Sequence, residues 1–89
     1  MSLENFFKIG GWYKNRGYTF YLPLQVVSVT KLRPPTAYNA GFTELRYKYY
    51  NDSEIYCWNI DDADEKEIME DYEELSDEEM MIEVINRSG

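Results

Sequence analysis

The charged and aromatic residues of this 89-residue chain divide sharply between its two halves. Residues 1–58 carry seven basic and four acidic side chains, whereas residues 59–89 carry two basic and thirteen acidic ones. Fourteen of the fifteen aromatic residues lie in the first part. Aromatic and β-branched residues favour strands, and glutamate-rich segments favour helices. Because a chain this short supports one core, the sequence predicts a single α+β domain over 1–89, with a β-rich part over 1–60 and an acidic, mainly helical part over 61–89.

Two segments in the middle of the chain predict a β-hairpin. Leu45 and Tyr47 alternate with charged residues, which places the apolar side chains of a strand over 42–50 on one face. A return strand over 55–60 places Trp58 on the same face. The alternation therefore predicts one buried and one solvated face for this pair of strands.

Other parts of the first half predict one strand and less regular structure. Residues 24–32 form a β-branched-rich run that predicts a longer strand, but its alternation does not assign an inward face. The aromatic segment 18–21 predicts a short extended piece. Pro34 and Pro35 supply no backbone donors, so a loop is expected over 33–36.

The acidic half predicts a first helix over 63–75. Its apolar residues recur at the helical period, and we expect them to form one buried face: Ile68, Met69, Tyr72 and Leu75. The acidic residues between them would then face solvent on the opposite side of the helix.

A second helix is predicted over 77–86. Ser76 and Glu79 have the spacing of a capping box, in which each side chain bonds the backbone N–H of the other residue. An alternative remains open, in which 80–85 is a final strand, because the alternation there is too weak to exclude it. As a helix, the segment is expected to bury Met81, Val84 and Ile85.

Three segments resemble the strands of SH3-like barrels. Residues 9–13 (Ile-Gly-Gly-Trp-Tyr) resemble the opening strand, 24–29 (Leu-Gln-Val-Val-Ser-Val) the next one, and 46–60 the closing hairpin. The resemblance covers 8–60 and departs at Gly11, where an acidic residue is usual. The fold is therefore expected to be a small bent antiparallel sheet or an SH3-like barrel, followed by an acidic C-terminal helical segment. SH3-like barrels bind peptides, nucleic acids or proteins, so the resemblance does not assign a function.

Catalytic and cofactor chemistry find little support in the composition. Histidine is absent, which removes the commonest general base and metal ligand. The one cysteine, Cys57, has no basic neighbour in the chain, and we interpret it as a small apolar-like side chain rather than a reactive thiol. The acidic run 61–64 lacks the glycine and the spaced glutamate of a calcium loop. We therefore predict a protein that is not an enzyme, with no catalytic residues, cofactor or metal site.

The acidic segment carries the strongest functional indication. Its thirteen carboxylates repel one another, which stability alone does not favour. Three interpretations are open: solubility, docking onto a basic protein, and mimicry of DNA phosphates by carboxylates on a helix face. We predict docking, in which a carboxylate-rich helical face occludes a basic, nucleic-acid-binding surface of a partner protein. The expected contacts are Glu67, Glu70, Asp71, Glu73, Glu74, Glu78 and Glu79.

An alternative hypothesis uses the basic half of the chain. Arg46, Lys48 and Tyr50 would share the outer face of one strand, where two cations and a ring can stack on and neutralise a nucleic-acid strand or a ribonucleoprotein. The net charge of −8 repels polyanions, so direct nucleic-acid binding is the less favoured reading. Four basic residues near predicted turns could instead hold the acidic segment against the sheet: Lys14, Arg16, Lys31 and Arg33.

In composition, the chain is similar to small acidic phage-encoded inhibitors of restriction and CRISPR defence. Its N-terminal segment lacks the basic region and long apolar core of a signal peptide. No apolar run approaches the roughly 18 residues that a membrane span needs. We therefore expect a cytoplasmic protein without a membrane partner.

Overall fold

The computed structural model of the chain describes residues 2–17, 22–33 and 41–88. It confirms the predicted α+β class, with helical structure at the C-terminal end of an antiparallel sheet. The extended piece predicted at 18–21 and residues 34–36 of the predicted loop lie outside the described residues, whereas Arg33, expected in that loop, is the last residue of a strand. In chain order, the elements are α1 (Leu3–Phe6), β1 (Trp12–Asn15), β2 (Leu24–Arg33), β3 (Phe42–Tyr49), β4 (Tyr56–Asp61), a short 3-10 helix (Asp62–Asp64), α2 (Glu65–Asp71), β5 (Tyr72–Leu75) and α3 (Asp77–Ser88).

The five strands pair in the order β4-β3-β2-β1-β5, and every pair is antiparallel. The predicted hairpin of β3 and β4 is confirmed, with Leu45 opposite Trp58 and Tyr47 opposite Tyr56. Ile55, expected at the start of the return strand, precedes it and is exposed. The edges of the described sheet are β4 and β5.

Strand β2 bends within its length. Its register against β3 shifts between Val26 and Ser28 and again between Lys31 and Arg33. An extra residue in one strand of an antiparallel pair kinks that strand and strengthens its twist. These shifts explain why the alternation of this segment did not assign an inward face, since the side-chain period changes phase along the strand.

The core lies on one face of the sheet, beneath α1 and α2. Helix α1, which the sequence did not predict, brings Phe7 at its C-terminal end to within 4.9 Å of Tyr13, measured between ring centroids, in an edge-to-face contact. Edge-to-face contacts of this kind add to the free energy gained by burying the rings. The buried cluster comprises Leu3, Phe7, Tyr13, Leu24, Val26, Leu45, Ile60 and Ile68.

The prediction of a helix over 63–75 is wrong for the last turn of that segment. Helix α2 ends at Asp71, and Tyr72–Leu75 form β5, which pairs with the whole of β1. The backbone N–H of Arg16 donates to the carbonyl of Asp71 at 2.7 Å, just where the helix gives way to the strand. Pairing with β1 thus overrides the helical propensity of this glutamate-rich segment. Tyr72 is still half-buried, but it packs from the strand against Phe7 and Trp58.

Helix α3 confirms the predicted second helix, and the strand alternative is wrong. The capping box is present, since Ser76 N–H donates to Glu79 Oε1 at 3.0 Å and Glu79 N–H donates to Ser76 Oγ at 3.1 Å. The predicted inward face is wrong for two of its three residues, because Met81 and Ile85 are exposed. Met80 is buried in their place.

Helix α3 lies on the opposite face of the sheet from α1 and α2. Neighbouring residues of a strand point to opposite faces. Tyr13 points into the core, so Lys14 points to the second face, where its ammonium contacts Glu83 of α3. Leu75 is also buried and lies opposite Trp12 in the register. Among the described residues, no helix combines the length and the apolar character that crossing a bilayer would take.

Candidate functional site

The seven carboxylates predicted to contact a partner do not share one helix face. Pairing of β5 with β1 divides the acidic segment into three parts with different orientations. The expectation of a single carboxylate-rich helical face is therefore wrong. Helix α2 carries Glu67, Glu70 and Asp71, strand β5 carries Glu73 and Glu74, and the first turn of α3 carries Glu78 and Glu79.

The carboxylates of β5 and of the adjoining side of α3 lie against basic residues of the N-terminal part. Lys14 Nζ is 3.2 Å from Glu73 Oε1 and 2.6 Å from Glu83 Oε1, and only a quarter of the Lys14 side chain is exposed. Arg16 Nε is 3.5 Å from Glu73 Oε2. Lys8 Nζ, in turn, is 3.4 Å from Glu74 Oε1. We call Glu73, Glu74 and Glu83 the sheet-bound carboxylates.

These contacts change the acidity of the groups involved. The hydrogen bond with Glu83 raises the pKa of Lys14, and the same bond lowers the pKa of Glu83 below its ordinary value of 4.5. An opposite charge within hydrogen-bond distance favours the ionised form of each partner. The ion pair between strand β1 and helix α3 is therefore fully charged near neutral pH.

A second contact of the same kind holds the start of the acidic segment. Lys31 of β2 forms an ion pair with Asp62 in the 3-10 helix and lies 4.0 Å from Glu65 Oε1. The hypothesis that basic residues hold the acidic segment against the sheet is thus confirmed for Lys14, Arg16 and Lys31. The side chain of Arg33 lies outside the described part of the chain.

The acidic run 61–64 has a structural role through Asp62. Within residues 2–17, 22–33 and 41–88, no three acidic or cysteine side chains converge as ligands of a metal ion would. The absence of a metal site remains a prediction.

The carboxylates of α2 differ from the sheet-bound ones. Glu67, Glu70 and Asp71 are exposed, and none of them forms an ion pair with another described residue. Since 3.6 residues make one turn, Glu70 and Asp71 lie about one turn after Glu67, and all three side chains project from the same side of the helix. We call these three the α2 carboxylates.

A cleft of about 360 Å³ lies beside the α2 carboxylates. Asp64, Glu67 and Asp71 line its helical side, whereas Trp58 and Tyr72 line the side formed by the sheet. The centroids of these two rings are 6.2 Å apart. Carboxylates and aromatic faces both attract cations, so the cleft is suited to the ammonium or guanidinium group of a basic side chain. The sequence reasoning missed it because β5 brings Tyr72 to Trp58 across the fold.

The alternative basic face is only partly assembled. Arg46 Nε donates to Glu44 Oε1 at 2.9 Å, so the positive charge of Arg46, one of the two cations of this face, is neutralised. Lys48 and Tyr50 line a shallow cleft of about 500 Å³ together with Trp12, and Arg46 does not line it. The centroids of the Trp12 and Tyr50 rings lie 5.9 Å apart. The hypothesis did not include Trp12, because pairing of β1 with β2 is what brings it there.

Cys57 lies opposite Arg46 on the exposed face of the sheet. Partial desolvation, followed by the nearby Glu44 carboxylate, raises the pKa of its thiol above the ordinary value of 9.0. A thiol must ionise to act as a nucleophile or a metal ligand. The protonated Cys57 thiol is therefore consistent with the interpretation as an unreactive side chain.

The outer side of α3 is a surface that the sequence reasoning assigned wrongly. Met81, Ile82 and Ile85 are 43%, 56% and 63% exposed. The apolar run from Met80 to Ile85 covers a wider arc of the helix than the sheet can bury, and its pattern alone does not say which part faces inward.

Comparison with known proteins yields no relative. No family model, no curated protein and no solved structure matches the chain. The resemblance to SH3-like barrels and the compositional likeness to phage inhibitors therefore remain predictions.

Proposed function

We propose that this chain is a non-enzymatic binding protein of the inhibitor type. Its acidic surface engages a basic surface of a partner protein that normally holds nucleic acid. The supporting observation is that the α2 carboxylates stay exposed and without ion pairs within the described structure, although basic residues of the sheet bind the neighbouring acids. Ion pairs among the described residues therefore do not account for the α2 carboxylates.

The geometry favours occlusion as the mechanism. The acidic side of α2 attracts a basic surface over several ångströms and so accelerates encounter. A lysine or arginine of the partner then enters the cleft between the helix and Trp58, where three carboxylates and two aromatic rings surround its charge. The α2 carboxylates occupy the positions that nucleic-acid phosphates would take on the partner. Glu78 and Glu79, exposed in the first turn of α3, form a separate negative patch on the other side of the sheet.

The compartment is part of the same proposal. Cys57 is unpaired and exposed, which suits a reducing environment. We place the chain in the cytoplasm, where nucleic-acid-binding proteins are accessible to an inhibitor of the phage-encoded kind.

The test measures release of a fluorescent oligonucleotide from a panel of purified DNA- and RNA-binding proteins as the chain is added. We expect release from at least one panel protein. The double substitution E67K/E70K should weaken the inhibition at least about tenfold, because two attractive charges become repulsive. The matched control E4K/E54K changes the net charge equally at exposed acids outside α2 and should keep most of the inhibition.

The salt dependence supplies a second readout. Inhibition should weaken steeply as the ionic strength rises, since salt screens exposed charges. An effect insensitive to salt, equal losses in the two double variants, or no release from any panel protein would count against the proposal.

A second candidate function has its own supporting observation. Trp12, Tyr50 and Lys48 together line one cleft, and paired rings beside a cation are the elements on which single-stranded nucleic acid stacks. A gel-shift assay at low salt with short RNA, single-stranded DNA and duplex DNA tests it. Binding that W12A and K48E both abolish, and that E67K/E70K strengthens, would favour this candidate over the first.

A further inference from the structure

Helix α3 presents more apolar surface than the sheet covers. Successive residues are rotated by about 100° around a helix, so the apolar side chains of α3 span an arc of about 200°. Met80 at one edge of the arc is buried against the sheet side, and Val84 beside it is half-buried. The remaining half of the arc holds Met81, Ile82 and Ile85, which are all exposed. A helical stripe about 100° wide is what a helix normally buries against a neighbouring element.

The helix is held firmly enough to present this stripe in a fixed orientation. The capping box closes its first turn. On the side facing the sheet, Glu83 bonds Lys14 and also pairs with Arg87 at 3.2 Å. The stripe is therefore already ordered before any partner arrives, and docking on it does not carry the entropic cost of folding a helix.

The charges around the stripe indicate what it binds. Asp77, Glu78 and Glu79 form the first turn of α3, and Glu78 lies on the same side as the stripe. The basic residue of the helix, Arg87, is mostly covered and already paired with Glu83. The exposed rim of the stripe is thus anionic.

A second copy of the chain does not complement this rim. If the α3 helices of two copies paired, in parallel or antiparallel, both stripes would lack an exposed cation. The two chains would also repel each other, because each carries a net charge of −8. An anionic lipid surface would be repelled for the same reason. A basic partner supplies both an apolar contact and the missing positive charge.

We infer that the exposed face of α3 docks a basic amphipathic helix of the partner protein. Apolar side chains of that helix pack between Met81, Ile82 and Ile85, and its flanking lysines or arginines meet Glu78. Ridges of side chains on two helices interlock in this way at interaxial distances of about 8–10 Å. The inference rests on the proposed function and adds to it a second contact with the partner, on the opposite face of the sheet from α2.

The test titrates the isotope-labelled full chain with a synthetic amphipathic helix that has leucines on one face and lysines on the other. Backbone amide shifts in the NMR spectrum should concentrate at Met81, Ile82 and Ile85. The double substitution I82S/I85S should weaken binding at least about tenfold, because two apolar contacts are lost. The matched control is I55S, which alters an isoleucine that is 56% exposed elsewhere, equal to Ile82. It should leave binding unchanged.

A scrambled peptide of the same composition, without an apolar face, separates this inference from the proposed function. Equal affinity of the two peptides, with shifts at Glu67 and Glu70, would overturn the α3 contact and leave the proposed function standing. Failure of both peptides to bind would contradict both. Sedimentation could instead show that the wild-type chain self-associates and that I82S/I85S does not. That result would assign the stripe to a second copy of the chain. Binding to anionic phospholipid vesicles through Ile82 and Ile85 would assign it to a membrane, and either result would overturn the inference.

Discussion

The sheet-bound carboxylates and the α2 carboxylates come from the same acidic segment but differ in their contacts. Glu73 and Glu83 converge on Lys14, a strand residue whose side chain is three-quarters covered. Glu67 and Glu70 are exposed on α2, and neither forms an ion pair with another described residue. The net charge of the segment therefore does not distinguish these two groups of carboxylates. They differ in whether a basic residue of the described sheet lies within ion-pair distance.

The largest expected loss of stability comes from weakening the contact between β5, at the end of the acidic segment, and the sheet. Leu75 is buried at the end of β5, opposite Trp12 of β1. Leu75→Ala should lower the free energy of unfolding by about 2–4 kcal/mol, as leucine truncations in cores do. Urea denaturation followed by tryptophan fluorescence measures it. Leu32→Ala, at a position that is 48% exposed, should change it by less than about 1 kcal/mol.

Equal losses in the two leucine variants would mean that β5 and α3 are not held against the sheet as described. The α2 carboxylates would then not be separable from the sheet-bound ones, and the comparison itself would fail.

A smaller effect is expected from removing the base that the sheet-bound carboxylates share. Lys14→Met keeps the apolar stem but leaves Glu73 and Glu83 without their common partner. We expect the free energy of unfolding to fall by about 1–2 kcal/mol, because a hydrogen bond to a charged group contributes about 1.5–3 kcal/mol and solvent weakens a partly exposed pair. Lys48→Met should change it by less than about 0.5 kcal/mol, since Lys48 forms no ion pair with another described residue. A loss of the same size at Lys48 would contradict this assignment.

Local patterns predicted much of the fold. The hairpin of β3 and β4 follows from period-two alternation, and the start of α3 follows from the spacing of Ser76 and Glu79. Both signals lie within a few residues of the structure that they specify. The α+β class follows from the uneven distribution of aromatic and acidic residues.

Non-local contacts decided the rest. The apolar residues of 63–75 fit a helical face, yet Tyr72–Leu75 form a strand because β1 offers both backbone pairing and Lys14 for Glu73. Likewise, the apolar arc of α3 includes both Met80 and Met81, and Met80 is the one that is buried because it faces the sheet. The cleft beside α2 escaped prediction because it joins side chains from elements far apart in the sequence, including β4, α2 and β5.

The capping box permits a test of how firmly α3 is fixed. Ser76→Ala removes the hydroxyl that accepts the Glu79 N–H. The expected cost is about 0.5–1 kcal/mol of unfolding free energy, with some loss of helical signal in circular dichroism. Ser53→Ala, in an exposed loop, should leave both quantities unchanged. If Ser76→Ala behaves like Ser53→Ala, the first turn of α3 is held by other contacts.

The smallest effect concerns the pH dependence of stability. Because its bond with Lys14 lowers the pKa of Glu83, that carboxylate contributes stability above its ordinary pKa of 4.5. This contribution is lost as the pH falls through the lowered value. The difference in unfolding free energy between the wild type and Glu83→Gln should therefore be under about 1 kcal/mol near pH 7 and shrink below pH 4.5. A difference that is constant with pH would contradict the ion pair.

The most direct test measures unfolding and inhibition on the same two double variants. In E67K/E70K, the potency of oligonucleotide release should fall at least about tenfold, while the unfolding free energy stays within about 0.5 kcal/mol of the wild type. E73Q/E83Q should lose about 1–2 kcal/mol of unfolding free energy while keeping the release, measured at a temperature where it is folded. If both variants lose both properties, or if the losses are exchanged, the division between sheet-bound and α2 carboxylates is wrong.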